Sequence, residues 1–275
     1  MNDPQTDSLR YPKSNLTMVE RFAIFIGHQI NRPGIIRRLS VWWGKVFTCS
    51  TLKKLSGHRW IHYHHERLEQ INTSASILLV SNHRTFFDMY VGITALRYLS
   101  HYRIGAPAVF PVRAPFFYDH PLGILVNLVA SGSCMWPPVF RDDRRSKLNP
   151  ISTNLMKELL KQEGVTFGFH PEGRRSKNTD IYTLEPPKRG VGQLVASADK
   201  RLVILPLFIS GLSGDAKREW RLRKKQSAKD HPIRFYWGDP KSAKDFKGSS
   251  EDIAQQIHEM IRLLAEQARQ EESSP

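Results

Sequence analysis

An α/β domain with a largely parallel sheet flanked by helices is the fold this sequence predicts, on three observations. From about residue 74 short β-like runs alternate with helical patterns, the order in which parallel strands and crossover helices follow one another. The chain has 275 residues, 40% hydrophobic and 24% charged. It therefore has the apolar mass for one large core, which excludes disordered, collagen-like and coiled-coil classes. The longest apolar runs, Phe22–Ile26 and Leu122–Ala130, are short or broken and fall below the roughly 18 residues of a transmembrane helix.

The elements follow in order. Met1–Asn15 is polar, does not read as a secretory signal, and is expected to be loose. Residues 17–56 predict two helices separated by Asn31-Arg32-Pro33-Gly34, a strong break. On the second helix Ile35, Ile36, Leu39, Trp42, Trp43, Val46 and Phe47 fall on one arc, with Arg37, Arg38 and Lys45 on the other side. Such a helix either lies in a membrane interface or covers the core with its basic face in water. Strands are predicted at Ile77–Val80, Ala108–Val112, Val165–Phe169, Leu202–Ile209 and Ile233–Trp237. A helix over Ile151–Gln162 ends before Gly164, a C-cap candidate.

The last helix starts near Ser250, with Glu251 and Asp252 in its first turn and Ile253, Ile257, Ile261 and Leu264 at helical spacing. The tail Glu271–Pro275 is expected to fray. No internal repeat is present. The organisation is then a flexible N-terminus (1–16), N-terminal amphipathic helices (17–56), the α/β domain (57–248) and a C-terminal helix and tail (249–275).

Charge narrows the partners. With 41 Lys+Arg against 26 Asp+Glu the net charge is +15, which favours nucleic acid, an acidic membrane surface or phosphorylated substrates. Two cysteines, Cys49 and Cys134, are too few for a disulfide framework and point to a reducing compartment. His58, His62, His64 and His65 invite a zinc reading, but no Cys or Asp neighbours them at ligand spacing. Strand alternation would part His64 from His65, so a surface or edge segment is expected. The basic run Lys217–Lys229, with Trp220 inside it, reads as a solvated face or a contact for anions.

Two segments carry chemistry. Ser81-Asn82-His83-Arg84-Thr85-Phe86-Phe87-Asp88 directly follows a predicted strand, where sites form in open α/β sheets. A His with a carboxylate can act as general base, the carboxylate fixing its tautomer. On a regular helix the five-residue offset would put the two side chains about 140° apart, so a turn must bring them together. A strand-end His and a helix-capping Asp is the plainer alternative. The second segment, Phe169-His170-Pro171-Glu172-Gly173-Arg174-Arg175-Ser176, again follows a strand and gathers Arg forks suited to a phosphate, although taken by itself it reads more plainly as an exposed basic turn.

Together the two blocks resemble the glycerophospholipid acyltransferase family, typified by 1-acyl-sn-glycerol-3-phosphate acyltransferases. Asn82, His83 and Asp88 match its Asn-His-x4-Asp block. Pro171, Glu172, Gly173, Arg175 and Ser176 match its Phe-Pro-Glu-Gly-x-Arg-Ser block. Pro187-Lys188-Arg189-Gly190 is similar to a Lys-Lys-Gly segment, and Val203-Ile204-Leu205-Pro206-Leu207 to a strand with a central Pro. The resemblance spans about residues 60 to 240. His170 stands where the family carries an apolar residue, Arg174 where it often has Thr, and Val139-Phe140-Arg141-Asp142-Asp143-Arg144 replaces Phe-Ile-Asp-Arg.

The resemblance implies acyl transfer from an acyl-CoA or acyl-carrier-protein thioester to a lysophospholipid hydroxyl, without a cofactor or metal. It implies His83 as base and Asp88 as its orienter. Glu172, Gly173, Arg175, Ser176 and either Arg141 or Arg144 would hold the acceptor. A peripheral or monotopic position on the cytoplasmic face of a membrane, against anionic lipid, follows for a lipid acceptor. Competing readings are a basic nucleic-acid-binding protein, an idle lipid-binding relative, and the same chemistry on another lyso-lipid. The first leaves the two strand-end blocks unexplained, so nucleic acid is not expected as a partner.

Overall fold

The computed structural model describes residues 11–100, 106–130, 132, 134–198, 201–224 and 227–273. Its sheet has the strand order β1-β7-β6-β2-β5-β3-β4, with β8 also paired to β6. The strands are β1 Trp60–Tyr63, β2 Ile77–Ser81, β3 Ala108–Arg113, β4 Met135–Val139, β5 Thr166–Phe169, β6 Val203–Ser210, β7 Ile233–Trp237 and β8 Lys241–Ser242. From β6 to β4 all pairings are parallel. β7 and β8 run antiparallel to β6, and β1 runs parallel to β7. The expected α/β architecture is the one observed.

β2 is buried at every position, as a central parallel strand covered on both faces must be. Its alternate residues feed different layers. Leu78 and Val80 join a core built with the helices Asn149–Leu160 (α5), Gly190–Ala196 (α6) and Ser250–Ser273 (α7). Ile77 and Leu79 join one built with Asp88–Leu99 (α4). Register then positions the site: Val80 lies beside both Phe169 and Pro206, so β2 and β5 end nearly level while β6 runs on to Ser210 beside the loop after β2. Asn82 seals that edge, its side-chain amide exchanging two 2.9 Å hydrogen bonds with the backbone of Ile209.

The two predicted N-terminal helices are present, with differences. The first is α1, Met18–Asn31, started by a Thr17–Glu20 capping box. The second begins as α2, Ile35–Trp43, and runs through a π-helical stretch, Gly44–Cys49, into α3, Ser50–Ser56. The apolar arc of α2 does not cover the core. Ile35, Ile36, Leu39 and Trp42 are all more than half exposed, and Met18, Phe22 and Phe25 of α1 join them on the surface. Arg37, from the side expected to face water, is buried. No described helix is long and apolar enough to cross a membrane.

Three further expectations change. β4, with Pro137 and Pro138, was not among the predicted strands; it lies at the sheet edge, where missing N–H groups cost little. The loose start applies to none of Tyr11–Leu16: the Tyr11 hydroxyl bonds Ser152 at 2.9 Å and Leu16 is buried, while residues 1–10 lie outside the described residues. The fraying expected at Glu271–Pro275 does not occur at 271–273, because Glu272 pairs with Arg234 at 2.9 Å and accepts from Ser210 at 2.8 Å; residues 274–275 are outside the described set. The four histidines do not converge. His62 stacks on Phe235 and accepts from Trp237, while His58 bonds the Lys224 carbonyl and His64 meets Gln267.

α6 crosses α7 so closely that a Cβ on Gly192 would sit 1.8 Å from the Ser250 carbonyl oxygen. Gly192→Ala should therefore lower the free energy of unfolding by about 1–3 kcal/mol, despite the better helix propensity of Ala. Gly214→Ala, with open space around it, should stay within about 0.5 kcal/mol of the wild type. Denaturant titration of both variants checks the pair.

Candidate active site

The loop leaving β2 curls around the Asp88 carboxylate. Its Oδ2 accepts the backbone N–H groups of Arg84 (2.6 Å) and Thr85 (2.7 Å), and Oδ1 accepts the Thr85 hydroxyl (2.6 Å). The same Oδ2 stands 3.2 Å from His83 Nδ1. Asp88 is the first residue of α4, but its hydrogen bonds go back to the loop and none goes to an N–H of the helix, so the plainer reading as a helix cap does not hold; by pulling the loop back it overcomes the helical offset. Burial alone would raise this carboxyl, but hydrogen bonds from His83 and Thr85 and the nearby imidazoles hold it below the ordinary carboxylate range. An ionised Asp88 makes Nδ1 of His83 the donor, leaving Nε2 as the ring's free lone pair.

The loop leaving β5 is fastened to this one. Glu172, 2% exposed, accepts the His83 N–H at 2.7 Å through Oε1 and the Glu185 N–H at 2.9 Å through Oε2. Ser176 N–H donates to the His83 carbonyl at 2.7 Å. Glu172 and Ser176, both expected to hold the acceptor, are therefore occupied in holding the His83 loop. Gly173 takes φ +66°, a left-handed turn that suits glycine, and its missing Cβ leaves room for the Lys188 side chain. The Lys188 N–H donates to the Pro171 carbonyl at 2.8 Å, bringing the Pro187–Gly190 segment to the same turn.

Of the two candidate arginines after β4, Arg141 reaches the turn, its guanidinium donating to the Gly173 carbonyl. Arg144 is exposed and has no side-chain partner among the described residues. Arg145, next in line, is committed to the fold through Glu20 of α1 and Asp142. Arg175 is exposed at the turn without a side-chain partner among the described residues, while Arg174 is paired with Glu185. The arrangement thus offers an imidazole with a bare nitrogen on a loop fastened to the turn that carries the unpaired guanidinium of Arg175 and receives that of Arg141.

His170 was noted in the sequence only as a departure from the family pattern. In the structure its ring stacks face to face on His83, with centroids 3.9 Å apart and planes 7° apart. Nδ1 lies 3.0 Å from the Ser81 carbonyl, so it carries the proton. Burial, reinforced by the His83 imidazole, pushes its pKa down to about 3, which keeps the ring neutral at physiological pH. His83, Asp88 and His170 are also the one trio of metal-ligating groups gathered among the described residues. Asp88, however, already spends its oxygens on four donors, an arrangement that orients an imidazole. Cys134 offers no competing nucleophile, since burial pushes its thiol up to about 11.

Burial is also the main reason the Glu172 carboxyl rises to about 7, against the backbone N–H bonds that favour its charge. A folded-state value above the unfolded one makes stability fall as pH rises from about 4.5 to about 7, by up to roughly 1.4 kcal/mol per unit. Glu172→Gln should lack that part of the slope and should also lose activity, because an amide cannot accept both backbone N–H groups. Urea unfolding from pH 4.5 to 7.5 in both proteins checks it; parallel curves would refute the assignment.

A family model described as Acyltransferase matches residues 62–210, more than half of the chain. Among solved structures, the crystal structure of the 1-acyl-sn-glycerophosphate (LPA) acyltransferase PlsC from Thermotoga maritima is similar. It aligns over 90% of this chain and 88% of that one, with a TM-score of 0.53 and 17% identity. At that identity the likeness is one of fold. No curated protein matches the sequence. The matched span opens in β1, closes at the end of β6 and contains both strand-end loops of the site. The chain belongs to the acyltransferase family.

Proposed function

We propose that the protein transfers a fatty acyl group from an acyl-CoA or acyl-carrier-protein thioester to the hydroxyl of a lysophospholipid, with 1-acyl-glycerol-3-phosphate the acceptor of choice. The observation that carries the reading is the joining of the His83–Asp88 pair to the arginine-bearing turn through Glu172 and Ser176. His83 Nε2 takes the hydroxyl proton as the oxygen attacks the thioester carbonyl. The tetrahedral intermediate then collapses, the C–S bond breaks, and the proton passes to the leaving thiolate. Asp88 orients the ring and stabilises the imidazolium. Arg175 and Arg141, with Lys188 at the edge of the turn, suit the acceptor phosphate. Glu172 is assigned a positioning role in place of direct contact.

The exposed apolar residues of α1 and α2 support a peripheral position on a membrane, where acceptor and product reside, and the cytoplasmic face is the side this reading assigns. Leu122, Leu125 and Val129 extend the same kind of surface, and the Trp43 indole ties α2 to the Val129 carbonyl at 2.8 Å. The exposed Trp220, with Arg223 over its ring, stands in the segment that leaves β6 at the site end of the sheet and adds positive charge there; Lys225 of that run lies outside the described residues.

Labelled oleoyl-CoA and lysophosphatidic acid test the reading. The wild type should form labelled phosphatidic acid, and His83→Ala should reduce kcat/KM by about 10²–10⁴-fold. Arg141→Gln should raise KM for the acceptor by about 10-fold or more, and Arg144→Gln should leave it unchanged. Equal labelling by wild type and His83→Ala would remove His83 as the base. Labelling that appears only with another lysolipid would move the acceptor and keep the chemistry.

A further inference from the structure

Because α2 turns its apolar arc outward, Arg37 turns inward. It lines a partly open cavity between α2, the end of α4, the start of β3 and the turn at Gly132, and Arg97 lines the same cavity. Arg37 is 8% exposed and Arg97 3%. Arg37 Nη1 donates to Gln162, but Nε and Nη2, the parallel edge that fits an oxyanion, have no partner. Arg97 donates through Nη2 to the Ala106 carbonyl at 2.6 Å and through Nη1 towards the Cys49 sulfur at 3.3 Å, and its Nε has no partner. These three are the buried side-chain nitrogens without a hydrogen bond among the described residues.

None of the residues lining the cavity is acidic. The neighbouring polar side chains are engaged elsewhere, Ser40 with the Gly132 carbonyl and Asn31 with the Gly27 carbonyl. A guanidinium, unlike an ammonium, does not escape burial by losing its proton, so two buried forks without a carboxylate are costly unless an anion joins them. We propose that this cavity binds a phosphate-class oxyanion between the Nε–Nη2 edge of Arg37 and Nε of Arg97. It lies at the amino ends of the strands, at the other end of the sheet from His83. The oxyanion has two possible sources, free phosphate or a lipid headgroup; the second rests on the membrane position proposed above, since Ile36 and Leu39 flank Arg37 on the exposed arc.

Thermal unfolding of the full chain, in sodium phosphate against sodium chloride of equal ionic strength, reads the first source. Wild type should gain about 2–6 °C at saturation. Arg37→Gln and Arg97→Gln should lose the gain, and Arg38→Gln, which removes an exposed charge from the same helix, should keep it. Without phosphate Arg37→Gln should melt no lower than wild type. Co-sedimentation with phosphatidylcholine vesicles, with and without phosphatidic acid, reads the second: Arg37→Gln should lose at least about fivefold of the acid-dependent binding and Arg38→Gln clearly less. A shift with phosphate alone assigns free phosphate; a vesicle difference alone assigns the headgroup. Equal behaviour of the Arg37 and Arg38 variants in both measurements overturns the site. Failure of every protein to pellet, with the phosphate shift intact, removes the membrane position and leaves the anion site standing.

Discussion

The Glu172 carboxylate takes one backbone N–H from the loop after β2 and another from the segment at Glu185, and the geometry of the site depends on that double bond. Strand register brings the ends of β2 and β5 level, but it does not fix how the loops beyond them fold. A buried acceptor with two occupied oxygens does, since releasing either N–H would leave it unsatisfied in a dry environment. His83 is held by its main chain through Glu172 and Ser176 and by its side chain through Asp88. His83, the base in the proposed reaction, and the arginine turn are therefore joined as one unit, the condition under which positioning contributes to rate.

Helical amphipathicity told less than its regularity promised. The arc from Ile35 to Phe47 has the spacing of a core-facing helix and of an interfacial one alike, and spacing carries no sign for inside and outside. Tertiary contacts supply the sign. Ser40 of α2 is seated on the Gly132 carbonyl and Thr48 of the π-helical stretch on the Ala130 carbonyl, which turns the polar side inward and the tryptophans outward. The buried Arg37 is a direct consequence of that seating.

Much of the fold was legible because β2, β5, β6 and β7 are apolar runs bounded by turn signals, and the last helix keeps its Ile253–Ile257–Ile261 stripe. β4 was not, because two prolines argue against a strand wherever an edge position is unknown. The blocks at His83 and Pro171 were legible by residue type and spacing. What Glu172 does was not, because a carboxylate that binds a ligand and one that fastens a loop look the same in sequence. That Arg141 reaches the turn at Gly173 and Arg144 does not is a matter of tertiary placement that their spacing in the sequence does not carry. His170 looked like a mere substitution, and only the 3.9 Å stacking shows that it touches the His83 ring.

The proposed reaction rests on Asp88 fixing His83 with Nδ1 protonated and Nε2 bare. Nitrogen NMR of histidine-labelled protein, at a pH where the ring is neutral and with the His83 signals assigned by His83→Gln, reads this directly. The wild type should show a protonated Nδ1 and an unprotonated Nε2, with the preference lost in Asp88→Asn. A protonated Nε2 in the wild type would contradict it, because the ring would then present a donor where the reaction needs a base.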